Sequence, residues 1–183
     1  MTEETEKPLM DGSWDERTEL LIGTEAADKL RHSHILIVGT GGVGGYAAEM
    51  LCRAGVGRLT LVDADVVNLS NINRQIIALH STVGRSKVEV LADRLLDINP
   101  RVKIYPVAAF LKDEAMEELL DAAKYDFVVD AIDSLSPKVF LIALSKRRGL
   151  PVISSMGAGA KRDASLIEVA DIARSYNCTL ARA

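Results

Sequence analysis

Short apolar runs recur along this chain, and the stretches between them carry apolar residues at helical spacing. His34-Ile35-Leu36-Ile37-Val38 ends in glycine and has no polar face beyond its first residue, the pattern of a strand buried on both sides. Comparable strands are predicted over 59–62, 102–107, 127–129 and 152–155. Helices are predicted over 14–30, anchored by Leu20, Leu21 and Leu30, and over 42–54, where Gly55 and Gly57 stop it. Further helices are predicted over 83–98, where Val88, Leu91, Leu95 and Ile98 share a face and Asn99-Pro100 ends it, over 113–123, and over 136–148, with Pro137 in the first turn. Residues 177–183 also read as helical, and the polar residues 1–13 as a flexible lead into one domain over 14–183. Strands alternating with helices at this spacing predict right-handed crossovers and a doubly wound, mostly parallel α/β sheet.

Ligands of such sheets sit beyond the carboxyl ends of the strands. That rule gathers segments 39–44, 63–75, 130–134 and 156–160. In the first, Gly39, Gly41, Gly42 and Gly44 allow a tight turn and bring helix amides towards an anion; close helix-strand packing without a ligand is the alternative. Asp63 ends the second strand, where a carboxylate can accept ribose hydroxyls of either NAD or ATP. The loop after it holds Asp65, Asn68, Asn71, Asn73, Arg74 and Gln75, too many hydrogen-bonding groups for a plain connection. Arg74 and Lys87 together suit a triphosphate and its leaving pyrophosphate, whereas a dehydrogenase needs no such pair. Taken singly, each basic residue is more ordinarily a loop cap or a solvated charge. Asp130 and Asp133 offer hard oxygen ligands to magnesium, Asp133 further out and Asp130 equally suited to holding the loop. The expected ligands are therefore ATP and magnesium.

Composition narrows the setting. With 183 residues, 48% of them hydrophobic, the chain can bury one substantial core. No apolar run approaches the ~18 residues that span a bilayer, and the acidic start lacks the regions of a signal peptide, so a cytoplasmic protein without membrane contact is expected. Cys52 and Cys178 show neither paired nor zinc spacing and are expected to be reduced and structural. The net charge of -4 neither demands nor excludes an RNA partner. His32, His34 and His80 lack triad or ligand spacing; Lys146-Arg147-Arg148 suits a helix terminus, and Lys161-Arg162 a turn near the site.

Together the glycine loop, Asp63-x-Asp65, Asn68, Asn71-x-Asn73-Arg74-Gln75, Lys87 and Asp130-Ala131-Ile132-Asp133 resemble the ubiquitin-activating-like adenylating family, which includes the adenylyltransferases of molybdopterin and thiamine biosynthesis. The stretches from Asn73 to His80, from Asp130 to Ser134 and from Gly157 to Lys161 look most like its branch of tRNA-modifying dehydratases acting on threonylcarbamoyladenosine. The resemblance implies a Rossmann-like ATP-binding fold and adenylation, then cyclisation, of that modified nucleoside. It places Asp63 on ribose, Asn71, Arg74 and Lys87 on phosphates and Asp133 on magnesium, and matches Arg17 to an arginine reaching the nucleotide across a homodimer. It also implies a sulfur-relay protein as a partner and a further carboxyl-terminal region that carries most of the RNA-facing surface and an alkali-metal site. The pattern departs from that branch at Tyr176-Asn177-Cys178-Thr179-Leu180, where Asp-Pro-Leu is expected. Activation of a ubiquitin-like sulfur carrier is the alternative reaction, against which the missing Cys-x-x-Cys pairs count. An NAD-dependent oxidoreductase leaves Arg74 and Lys87 unexplained, and an inactive nucleotide-binding scaffold leaves the intact residue set unexplained.

Overall fold

The computed structural model describes residues 14–111, 114–159, 161–178 and 180–181. The expected flexible segment 1–13 and the start of the helix predicted from Asp113 lie outside the described residues. Among these residues, β1 (His34–Val38), β2 (Arg58–Val62), β3 (Lys103–Val107), β4 (Phe127–Asp130) and β5 (Val152–Ser154) form one parallel sheet in the order β3-β2-β1-β4-β5. The predicted doubly wound architecture is the one observed.

Side chains that alternate along the strands divide the core in two. Ile35, Ile37, Leu59 and Leu61 pack on α3 (Gly44–Arg53) and α4 (Lys87–Ile98). Leu36, Val38, Val62 and Val128 face α5 (Glu114–Asp121) and α6 (Leu135–Arg147). Leu36, Ile37, Leu59 and Leu61 are wholly buried, each contributing about 1.5–3 kcal/mol by removal from water. β1 is buried at all its positions because strands flank it and helices cover both faces.

Three expectations are corrected. The helix predicted over 14–30 is two helices, α1 (Glu16–Ile22) and α2 (Thr24–His32), parted at Gly23 with φ 84°, a conformation that glycine adopts without a Cβ penalty. Its expected anchors Leu20 and Leu21 are 69% and 85% exposed, while Leu30 does pack on the core. What holds α1 to α2 is Arg31, whose guanidinium reaches Asp15 at 3.1 Å and Glu19 at 2.6 Å. α4 begins at Lys87 rather than at 83, since Gly84 takes φ 86° and the preceding residues form turns. Asn177 takes φ 52° and bends the chain where a terminal helix was expected; Thr179, Arg182 and Ala183 lie outside the described residues.

Glu49 was not anticipated as a structural residue. It is 3% exposed on α3 and joins Arg94 of α4 at 2.6 Å and Arg53 at 2.8 Å. The hydrogen bond from Arg94 holds its carboxyl below the usual range, against the opposing effect of burial. A carboxylate depressed in the folded state stabilises above its unfolded pKa, and that contribution disappears as pH falls through the folded pKa. Urea unfolding of wild type should therefore weaken on acidification below about pH 4.3, and Glu49→Gln should flatten that decline while lowering stability at neutral pH. Parallel pH dependence in the two proteins would remove Glu49 as a source.

Candidate functional site

Strand register sets the carboxyl ends side by side: Val38 pairs with Val62 and Asp130, Val62 with Val107, and Asp130 with Ser154. The chain leaves β1 towards β2 and returns on its other side as β4, which opens the ligand crevice of such sheets between the loops after β1 and β4. Those loops touch. A Cβ on Gly39 would lie 2.6 Å from Ala131 O, and one on Gly44 1.7 Å from Gly39 O. These two glycines are thus required by packing, as the alternative reading of the motif has it. Gly41 and Gly42 differ. A Cβ there would meet Gln75 Nε2 at 3.4 Å and the Arg74 backbone O and side-chain stem at 3.5 Å or more, ordinary contacts, so their bareness leaves room beside the α3 amino terminus. The first amide there to reach a carbonyl belongs to Gly45, on Gly41 O at 3.1 Å; helix geometry leaves those before it without a carbonyl one turn back.

Asp63 locks that loop to the end of β2. Its Oδ2 accepts from the Thr40 amide at 2.8 Å and the Thr40 hydroxyl at 3.0 Å, and its Oδ1 from the Asp65 amide at 2.9 Å. Thr40, fully buried, was missed in the sequence because its role depends on a carboxylate from another strand. Asp65 in turn positions Lys87: its backbone O accepts the Lys87 amide at 3.0 Å and its Oδ2 the ammonium at 2.7 Å. Lys87 is 5% exposed, so a residue expected to be ambiguous is a buried cation at the start of α4.

The polar loop is equally built. Asn71 Oδ1 accepts from the Asn68 amide at 2.9 Å, while the Asn71 backbone O accepts the Arg74 and Gln75 amides at 3.1 and 2.9 Å. Asn68 is exposed, its amide group donating to Val66 O at 3.3 Å. Arg74 lies exposed over Gly42, its guanidinium donating to Ser70 O at 3.0 Å and Asn73 Oδ1 at 2.9 Å. Among the described residues, the buried Gln75 Oε1 and Ser86 Oγ have no hydrogen-bond partner. Buried polar atoms are nearly always satisfied; the Gln75 atom turned to Gly41 is its amide nitrogen, a donor.

The two aspartates separate. Asp130 is wholly buried, its Oδ2 accepting from Lys138 Nζ at 2.7 Å and Ser154 Oγ at 2.6 Å, its Oδ1 from the Ile132 amide at 3.0 Å. With both oxygens engaged it holds the loop, the other of the two roles considered for it. Lys138 was not recognised in the sequence, where a lysine after proline in a helix carries no mark of burial; it also reaches Ser154 Oγ at 3.1 Å and Ser155 O at 2.9 Å. Asp133 is exposed and without a side-chain partner among the described residues, and its hard oxygens fit magnesium, which uses one or two protein carboxylates with phosphates and water. Arg17 is exposed on α1, and the structure of one chain does not bring it to the other site residues.

The remaining candidates are placed elsewhere. His34 is buried against Thr60 Oγ1 at 2.9 Å, and burial, with Arg58 nearby, lowers its pKa; His32 and His80 are exposed. Burial pushes the Cys52 thiol up to about 11, whereas at Cys178, against the opposing effect of burial, hydrogen bonds from the Ala181 and Gly157 amides lower the thiol's pKa. Arg148 binds Asp121 through two 2.9 Å contacts, and Lys161 donates to Asn177 O; Arg162 is exposed, and Ala160 lies outside the described residues. Among the described residues no helix is long and apolar enough to cross a membrane.

A model described as the ThiF family matches residues 16–183. The chain is 42% identical over 166 residues to tRNA threonylcarbamoyladenosine dehydratase of Bacillus subtilis (strain 168), covering 91% of this chain and 65% of that relative. It superposes with a TM-score of 0.88 and 40% identity on the Escherichia coli tRNA N6-threonylcarbamoyladenosine dehydratase TcdA in complex with ATP, covering 91% of this chain and 68% of that one. Molybdopterin-synthase adenylyltransferase of Escherichia coli (strain K12) is 36% identical over 154 residues, with 84% and 61% covered. The chain thus spans less than two thirds of the length of these curated relatives.

The buried lysine yields a direct test. Lys138→Ala should cost about 3–5 kcal/mol in urea unfolding, because it leaves the Asp130 carboxylate buried and unpaired, whereas Asp130→Leu combined with Lys138→Met should cost clearly less. Equal losses in the single and paired variants would contradict a coupled buried pair.

Proposed function

Because this chain belongs to the ThiF family, we propose that it binds ATP with magnesium and adenylates the carboxylate of threonylcarbamoyladenosine in tRNA, then cyclises it. The observation that supports the reading is the open pair Gly41 and Gly42 against the Gln75 amide nitrogen and Arg74, on a loop that Thr40, Asp63 and Asp65 link to the buried Lys87. In the first step a carboxylate oxygen bonds to the α-phosphorus and the bond to pyrophosphate breaks. In the second, the carbamoyl nitrogen attacks the activated carbonyl, loses its proton to solvent and expels AMP, which keeps the former carboxylate oxygen. Net loss from the tRNA is one water.

Each residue has a physical part. The free face of Asp63, with Asn68 nearby, would receive ribose; the loop amides of Gly41 to Gly44, with the side-chain amide nitrogens of Asn71 and Gln75 and the two-donor fork of Arg74, would receive phosphates. Lys87 would exchange Asp65 for phosphate oxygens. Magnesium, when held by Asp133, would neutralise charge on departing pyrophosphate. No cysteine nucleophile is required, since the acceptor nitrogen belongs to the same substrate. We also assign the working state to a cytoplasmic homodimer in which Arg17 meets the partner's nucleotide; the exposed Leu20 and Leu21 on the same helix support a covered face there. A sulfur-relay protein is the second partner in this reading.

Incubation with ATP, magnesium and modified tRNA should give a product one water lighter by mass spectrometry; pyrophosphate release without that loss would point to a carrier-protein substrate instead. Calorimetry should show ATP binding in preference to NAD, and the opposite preference would overturn the reading. Asp133→Ala should reduce pyrophosphate exchange by an amount equivalent to ~2.7–4 kcal/mol, by analogy with loss of one preorganised stabilising group. Unchanged exchange would assign the metal to other ligands.

The shared site is tested by complementation. Inactive Arg17→Ala and Lys87→Ala proteins, mixed and allowed to exchange subunits, should regain activity in hybrids that carry one intact site. Demonstrated exchange with no recovery would refute a trans role for Arg17.

A further inference from the structure

At the amino ends of the strands, opposite the crevice, two concavities of about 380 and 570 Å³ share His32 and Arg58. Their cations fall in rows set by the sheet: His34 pairs in register with Arg58, and Arg58 with Lys103, so β1, β2 and β3 each begin with a basic or titratable side chain. Arg101 lines the smaller concavity and Lys124 the larger. Arg31 is already neutralised by Asp15 and Glu19. By contrast, Arg58, Arg101, Lys103 and Lys124 have no carboxylate partner among the described residues; Arg58 donates only to the His32 backbone O at 2.6 Å. The acid of the larger concavity, Asp126, has its Oδ2 taken by the His34 amide at 2.8 Å. A chain of net charge -4 therefore gathers unpaired positive charge at one end.

An aromatic platform adjoins these cations. Tyr105 of the edge strand β3 is 46% exposed, and its ring rests 5.4 Å from that of His34, which is itself 4.8 Å from Tyr125. Braced by the tilted His34 ring, which in turn rests on Tyr125, Tyr105 presents an exposed aromatic surface. Unpaired cations around an exposed, braced ring complement single-stranded nucleic acid, whose phosphates take the charge and whose bases stack. A small anion would use the charge but not the ring.

We propose that this amino-end surface is an RNA-docking site that holds the phosphate backbone and an unpaired base of the substrate tRNA, remote from the reacting nucleoside. The proposal rests on the tRNA reading above. The five residues of β2 separate the two ends by roughly 17 Å, a span that one folded RNA bridges while its modified nucleoside occupies the crevice.

Binding of a fluorescently labelled, in vitro transcribed tRNA to the 183-residue chain is measured by anisotropy across a salt series, with ATP affinity measured on the same samples by calorimetry. Arg101→Ala combined with Lys103→Ala should weaken tRNA binding about tenfold or more and flatten the slope of log affinity against log salt by about 0.7–0.9 for each phosphate no longer neutralised. Tyr105→Ala should weaken it by roughly tenfold with the salt slope unchanged. ATP affinity should match wild type in both variants. Wild-type tRNA affinity and slope in the substituted chains would overturn the docking site while leaving the tRNA reading intact. A wild-type chain that binds ATP but no tRNA would overturn the docking site. Unchanged tRNA binding with an altered oligomeric state would assign the face to protein contact and likewise refute the proposal.

Discussion

The wholly buried contact between Lys138 and Asp130 constrains the end of the sheet where the chemistry is assigned. An ammonium in that position needs every proton accepted, and Asp130, Ser154 and the Ser155 carbonyl accept them. The same carboxylate fixes the Ile132 amide, so one charge pair sets the start of α6, the ends of β4 and β5, and the turn leading to Asp133. Such a pair adds little net stability over a well-packed apolar core, but its geometry is exacting. The same turn packs Ala131 against the glycine loop and leaves the Asp133 carboxylate exposed.

A second layer of constraint runs from Thr40 through Asp63 and Asp65 to Lys87. It joins the loop after β1, the end of β2 and the first turn of α4, three elements that the chain reaches far apart. Every link uses a charged or backbone partner, so hydrogen bonds join these elements above the apolar core that β1, β2 and α4 also share. The same arrangement keeps Lys87 buried yet charge-balanced. The two ends of the sheet consequently differ: Lys87 and Lys138 at the carboxyl end are engaged by carboxylates, whereas the cations at the amino end are spread over an open surface beside Tyr105.

Much of this was legible in the sequence, because strand burial and helix periodicity are local. The runs at 34–38 and 59–62 announce strands, and the order of elements implies a parallel sheet whose carboxyl ends gather Gly39, Asp63, Arg74 and Asp133. What failed were features that depend on partners distant in the chain. Leu20 and Leu21 look like anchors by spacing, but the interruption at Gly23 turns them outward, and Arg31 with its two carboxylates holds α1 instead. Lys138, Glu49 and Thr40 are ordinary residues until the fold supplies Asp130, Arg94 and Asp63. The chain alone determined which residue types the crevice contains; only tertiary structure decided which stay free for a ligand, since a charge buried by folding must find its partner wherever the backbone brings one.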